Sequence, residues 1–311
     1  MNLIAGIILA LVGVIIALLG ILKVVPGLTG SGIFAVFVGL VMIGLSFIKK
    51  PVEEDPTPSM STASTIGNIF FAPSEVFQNL RRHPRWLAVV IIMAVLAGAY
   101  NIAFMQRLTP ERVVNFMTDK TLEVSWVANN PDAVKNIEKG RPDAIAQQKN
   151  PVFQTVGFIS SFGTNVLFIG FLAFVFFLFM LAMGGKINYW QAFSATAYAL
   201  FPITVIRFVL SAVILYLKDP VEIHPVLGQR GGLLQDSLNF LVVPGEHPVL
   251  YSVLGMLSLL SFYWIFLNGI GLKNAGERVG STAAWTAAIA VWAVSVILLA
   301  GWVSLFPNFL G

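Results

Sequence analysis

Cysteine is absent from all 311 residues, which excludes disulfides, thiol catalysis and thiolate metal ligation while leaving the compartment open. Charge is scarce as well. Only 11% of positions are charged against 57% hydrophobic, whereas soluble domains carry about 25% charged residues. With a mean hydropathy of +0.83, the chain reads as an integral membrane protein. Its net charge of +4 comes without a long basic run. Nucleic-acid binding therefore has no support, and contact with anionic lipid headgroups is the simpler expectation.

What is abundant is apolar sequence. Seven stretches reach or approach the roughly 20 apolar residues that a spanning helix needs: 3–22, 33–48, 86–105, 157–183, 199–217, 249–272 and 283–306. None holds an aspartate or glutamate, and their only full charge is Arg207. Carboxylates inside a bilayer mark ion paths and proton relays, so the usual equipment of an ion-coupled pump is missing. The predicted fold class is all-α: a polytopic membrane helix bundle of about seven transmembrane helices with a small extramembrane helical cap. The first stretch carries no charge before Lys23 and is read as a retained span, since a signal peptide needs a positive leading segment.

Residues 1–48 are expected to form an N-terminal transmembrane hairpin whose turn, Val25 to Gly32, is rich in helix breakers. Gly6, Ala10, Gly13 and Ala17 place small residues along one side of its first helix, a pattern that permits close packing. Residues 49–65 mix proline, serine, threonine and charge and read as a flexible linker. A membrane domain then runs over 66–311, with 106–152 inserted as the helical cap. In that cap Thr109-Pro110-Glu111 and Asn130-Pro131-Asp132 each combine an N-cap, a first-turn proline and a first-turn acid. The second is expected to open a short helix. Loop 218–248 shows no clear periodicity.

At the start of the membrane domain, Ile66, Ile69, Phe70, Val76, Phe77 and Leu80 can share one apolar side, with Glu75, Gln78, Asn79 and Arg82 opposite. A helix of this kind, with Phe70, Phe71 and Phe77 as anchors, Pro73 in its first turn and Arg81-Arg82 beside headgroups, can lie in the membrane interface. The alternative is an ordinary helix packed on its own bundle. Basic clusters at Lys49-Lys50 and Arg81–Arg85 flank spans closely. They favour a cytoplasmic N-terminus, and seven spans then put the C-terminus outside. The expected location is a bacterial inner membrane.

Three stretches carry a family resemblance. The first is Ile69-Phe70-Phe71-Ala72-Pro73-Ser74-Glu75-Val76-Phe77, followed by basic residues and Pro84-Arg85-Trp86. The second is Gly184-Gly185-Lys186 closing a Phe-rich span, then Phe193-Ser194-Ala195-Thr196-Ala197-Tyr198-Ala199-Leu200-Phe201-Pro202. The third is Trp264-Ile265-Phe266-Leu267-Asn268-Gly269-Ile270-Gly271-Leu272 ahead of a short basic loop. Over residues 66–306 the chain resembles the Yip1 domain family, particularly its prokaryotic members. The resemblance implies a five-helix membrane domain with a cytoplasmic N-terminal arm and no catalytic residues. The hairpin and the 106–152 cap depart from the family pattern. The trafficking motif near the first span of eukaryotic relatives is not evident, so their link to Rab-type GTPases is not carried over.

The candidate functional residues are Pro202, Arg207, Gly184, Gly185, Lys186 and Asn268. Arg207 suits an anion or headgroup, because guanidinium grips phosphate bidentately; otherwise it snorkels or bonds helix carbonyls and Asn268 or Asn165. Pro202 is expected to bend or break its helix. Broken helices mark transporter sites, but an interfacial half-helix with Tyr189 and Trp190 at headgroup level is favoured. His224 and His247, with Glu222, Asp236 and Glu246, match no metal-ligand spacing. GxSxG, HExxH and P-loop patterns are absent, so no catalytic, cofactor or metal residues are assigned. The leading expectation is a non-enzymatic scaffold, membrane-organising factor or accessory subunit, contacting membrane lipids and a protein partner or second copy. The alternative is a transporter or lipid-handling permease built around Pro202 and Arg207.

Overall fold

The computed structural model describes residues 2–48, 58–229 and 231–307. Among the described residues fourteen α-helices carry the fold. They are α1 (Asn2–Ile21), α2 (Leu28–Ser46), α3 (Thr62–Asn68), α4 (Pro73–Arg82), α5 (Leu87–Leu108), α6 (Pro110–Leu122) and α7 (Ser125–Ala128). After these come α8 (Pro131–Lys149), α9 (Pro151–Ala182), α10 (Tyr189–Leu217), α11 (Pro225–Gln229), α12 (Pro248–Met256), α13 (Leu259–Ala275) and α14 (Ser281–Leu305). No β-strand occurs among the described residues; there are two isolated bridges, Lys186 with Arg278 and Ser237 with Ser258.

Among the described residues, six helices (α1, α2, α5, α9, α10 and α14) are long and apolar enough to cross a membrane. The seventh expected stretch, 249–272, is interrupted. Leu259 N donates to Asp236 O at 3.0 Å and Leu260 N to Asp236 Oδ2 at 2.9 Å, while Ser258 Oγ accepts from Ser261 N at 3.0 Å. These contacts cap α13 and end the run begun by α12. A helix start hidden inside an apolar run gives no hydropathy signal, which is why a single span was expected there.

The chain divides into two compact units. The first comprises residues up to Val95, Ile159–Val205 and Phe262–Ala293. In it α1 and α2 form a tight hairpin: a Cβ on Gly39 would stand 2.6 Å from Ala10 N, and one on Gly13 would stand 2.5 Å from Val36 N. The small-residue stripe on α1 is thus used within the hairpin, where the missing side chains let the two backbones touch. Elsewhere in this unit Phe176, Met180, Leu272, Ala284 and Ala287 form a core cluster. The start of α10 is the most enclosed part, buried from Tyr189 through Ala199.

The second unit comprises Leu96–Phe158, Ile206–Ser261 and the chain from Val294 onward. Its core holds Tyr100, Phe104, Leu108, Val113, Leu215 and Ile223. The cap region lies here as α6, α7 and α8. Thr109 Oγ1 caps α6 and Asn130 Oδ1 caps α8, at the two start signals legible in the sequence. The second helix is 19 residues long, not short, and continues through Pro142. Arg141 ties it to α6 by a 2.7 Å ion pair with Asp119. Arg112 donates to the carbonyls of Pro220, Val221 and Ile223, fastening loop 218–248 beside α6. Of the 49–65 linker, residues 49–57 lie outside the described residues. Its last part is helical, with α3 opening on a Ser61 cap whose hydroxyl accepts from Ser64 N at 3.1 Å.

Candidate functional site

Within the first unit, four chain segments meet through polar contacts at the ends of apolar helices. Helix α4 arrives with Val76, Phe77 and Leu80 fully buried. Gly271 makes room for Phe77, since a Cβ there would approach its ring to 3.0 Å. The apolar side of α4 therefore packs on its own bundle, the ordinary-helix alternative. Phe70 meets Phe201 edge-on with centroids 6.0 Å apart, and Phe71 is 88% exposed. Pro73 occupies the first turn of α4, while Arg81 and Arg82 fill its last turn, where cations complement the helix dipole.

The second segment is the turn after α9. Gly184 adopts φ +75°, a conformation glycine enters without Cβ strain, and Gly185 N donates back to Met180 O at 2.8 Å. The reversal delivers Lys186 against the third segment, the end of α13 and the loop beyond it. Lys186 N donates to Arg278 O at 3.1 Å, and Glu277 N donates to Lys186 O at 2.9 Å. The Lys186 ammonium reaches Glu277 Oε2 at 2.6 Å. That bond, then the Lys186 charge and the nearby Arg81 and Arg278 charges, hold the Glu277 carboxyl below its ordinary range.

The start of α10 locks these parts together. Asn188 Oδ1 accepts from Trp190 N at 2.9 Å, and Gln191 Oε1 accepts from Asn188 N at 2.7 Å, a reciprocal capping box. The other end of the Gln191 amide donates to Arg81 O at 2.9 Å. Trp190 Nε1 donates to Ile48 O at 2.9 Å, which brings in the fourth segment, the residues after α2. Trp190 is only 2% exposed. The expected interfacial half-helix is therefore replaced by a buried helix start, because indole and amide find protein carbonyls rather than headgroups. Helix α10 also passes through buried Pro202 without a break.

Between α4 and residues 273–280 lies a polar cavity of about 790 Å³. Arg81, Arg82, Lys273 and Arg278 line it together with His83, against two carboxylates, Glu75 and Glu277. Two lining atoms, Asn79 Oδ1 and His83 Nε2, are buried with no hydrogen-bond partner among the described residues. The sequence reading reached Arg81, Arg82 and Lys186 but missed Lys273, Glu277, Arg278 and Gln191. The Asn188…Gln191 spacing was the signal available for the last of these. The loop after α13 was legible as basic, but its meeting with α4 is a long-range contact.

The other candidates stand apart from this cavity's lining. Asn268 is 1% exposed; its Nδ2 donates to Trp264 O one turn back at 2.9 Å, and its Oδ1 has no partner among the described residues. Arg207, in the second unit, is half-buried and has no hydrogen-bond or ion-pair partner among the described residues. Its methylenes pack on Gly231, where a Cβ would come within 3.2 Å of Arg207 Cγ. His224 Nδ1 accepts from Val226 N and Leu227 N, each at 3.2 Å, and so caps α11. Among the described residues no three histidine or acidic side chains group as a metal site would require.

Apolar helices of spanning length, closed by polar contacts at their ends, define an integral membrane helix bundle. A family model described as the Yip1 domain matches residues 67–305. The chain belongs to the Yip1 domain family. No curated protein and no solved structure matches it.

Proposed function

We propose that this protein is a non-enzymatic membrane scaffold or accessory subunit that organises other components through the polar end of its first unit. The observation that carries this reading is the Gln191 bridge, which spends a buried side-chain amide on joining α4 to α10. The polar groups at that end thus divide into internal fasteners (Lys186, Asn188, Gln191) and charged side chains around an open cavity, an arrangement suited to recognition. We place the polar end and the N-terminus in the bacterial cytoplasm, from the basic residues of α4 and the 273–280 loop. With α12 and α13 counted as one crossing, the C-terminus lies outside. Purification of the full chain in mild detergent tests the role. A stoichiometric partner or a homo-oligomer is expected, and recovery as a lone monomer argues against it.

A second reading, a lipid-handling permease, has one observation in its favour: the half-buried guanidinium of Arg207 lies in an apolar helix without a partner among the described residues. Reconstituted protein should then move an anionic solute or lipid, and Arg207→Ala should abolish the flux. Unchanged flux in that variant removes this reading.

A further inference from the structure

We propose that the cavity between α4 and the α13–α14 loop binds a phosphate-bearing anion, presented as a lipid headgroup or as a soluble phosphate monoester. The inference rests on reading this end as a recognition site, and it names the ligand chemistry. A volume of about 790 Å³ lies within the roughly 300–1,000 Å³ typical of small-ligand sites. The lining is cationic: four formal cations face two carboxylates. One of those carboxylates, Glu277, is already engaged by Lys186 at 2.6 Å, from outside the lining.

The cations come from two elements far apart in sequence, so the charge is gathered by the fold and is not a run. Lys273 and Arg278 have no ion-pair partner among the described residues, which leaves an ammonium and a guanidinium facing Arg81 and Arg82 across the same space. A guanidinium presents paired donors that match two phosphate oxygens, and an ammonium adds a point charge. His83 Nε2, buried and without a partner among the described residues, supplies a further donor to an oxyanion when it carries the proton. A planar carboxylate would use fewer of these donors than a tetrahedral phosphate does.

The test titrates purified full-length protein with dioctanoyl phosphatidic acid, glycerol 3-phosphate, inorganic phosphate and an acidic hexapeptide, read by calorimetry. Saturable binding is expected for phosphatidic acid, weakened at least tenfold in Lys273→Gln/Arg278→Gln. Equal binding of the two soluble phosphates identifies a soluble ligand, while binding of phosphatidic acid alone identifies a headgroup. Failure of all three phosphate probes, tighter binding of the acidic peptide, or unchanged affinity in the double variant overturns the proposal. Should the variant not fold, a photoactivatable phosphatidic acid on the unaltered chain takes its place. Adducts on Arg81–Arg85 or Lys273–Gly280 are expected, and their absence overturns it. Because scaffolding is read by partner recovery and this site by ligand titration, either can fail without the other.

Discussion

Gln191 and Arg81, 110 residues apart in the chain, are joined by a single 2.9 Å hydrogen bond from the glutamine amide to the arginine carbonyl. The contact uses the Arg81 backbone carbonyl, not its guanidinium. Gln191 is 2% exposed, so water has little access to replace what it provides.

Gln191→Ala should therefore leave Asn188 N and Arg81 O without this partner. A buried polar group stripped of its partner costs about 1–3 kcal/mol. The thermal midpoint of the detergent-solubilised protein should fall by several degrees. Gln191→Glu keeps an acceptor for Asn188 N but sets a carboxylate oxygen against Arg81 O, so it should lower the midpoint at least as far. A midpoint unchanged by Gln191→Ala would show that the bridge holds nothing.

The hairpin offers a paired test. Gly39→Leu forces a side chain into the α1 backbone, where a Cβ already stands 2.6 Å from Ala10 N, and overpacking costs about 1–3 kcal/mol. Gly44 on the same helix has nothing within 4 Å of a Cβ, so Gly44→Leu should be close to neutral. Thermal midpoints of the two variants decide this, and equal losses would contradict the packing described here.

Acid should loosen the loop around α11. His224 has its pKa lowered from 6.5, first by burial and then by the Lys120 and Arg112 charges. The unfolded chain takes up this proton before the folded one does. The stability linked to it is present above pH 6.5 and is lost as pH falls from there towards the lower folded value. Protonation at Nδ1 also removes the acceptor used by Val226 N and Leu227 N. Protection factors of the Val226 and Leu227 amides, corrected for the slower intrinsic exchange in acid, should fall from pH 7.5 to 5.5. His224→Asn should flatten that response.

The apolar stretches made most of the helices legible, because hydrocarbon demands long uncharged runs and the chain supplies them. The cap helices were legible from Thr109-Pro110-Glu111 and Asn130-Pro131-Asp132, whose capping chemistry is local. What escaped depended on distant partners. Asp236 caps α13 from 23 residues before its first residue, Leu259, so the 249–272 run looked unbroken. Trp190 looked interfacial because nothing nearby in sequence announces Ile48 O as its acceptor. The cavity was half visible: Arg81 and Arg82 were singled out, but Lys273 and Arg278 join them through long-range contacts such as Phe77 against Gly271 and Gln78 with Asn274.

The central claim is that these helices are immersed in a bilayer with polar ends exposed to water. The cysteine-free chain allows it to be tested by single cysteines labelled with a membrane-impermeant maleimide in membranes made accessible from both sides. Cysteines at Gln78 and Asp143, both exposed, should react readily. Those at Leu11, Phe171 and Ile297, which are 60%, 68% and 69% exposed on helix surfaces, should stay unlabelled until detergent is added. Ready labelling of these three positions in intact bilayers would contradict the account.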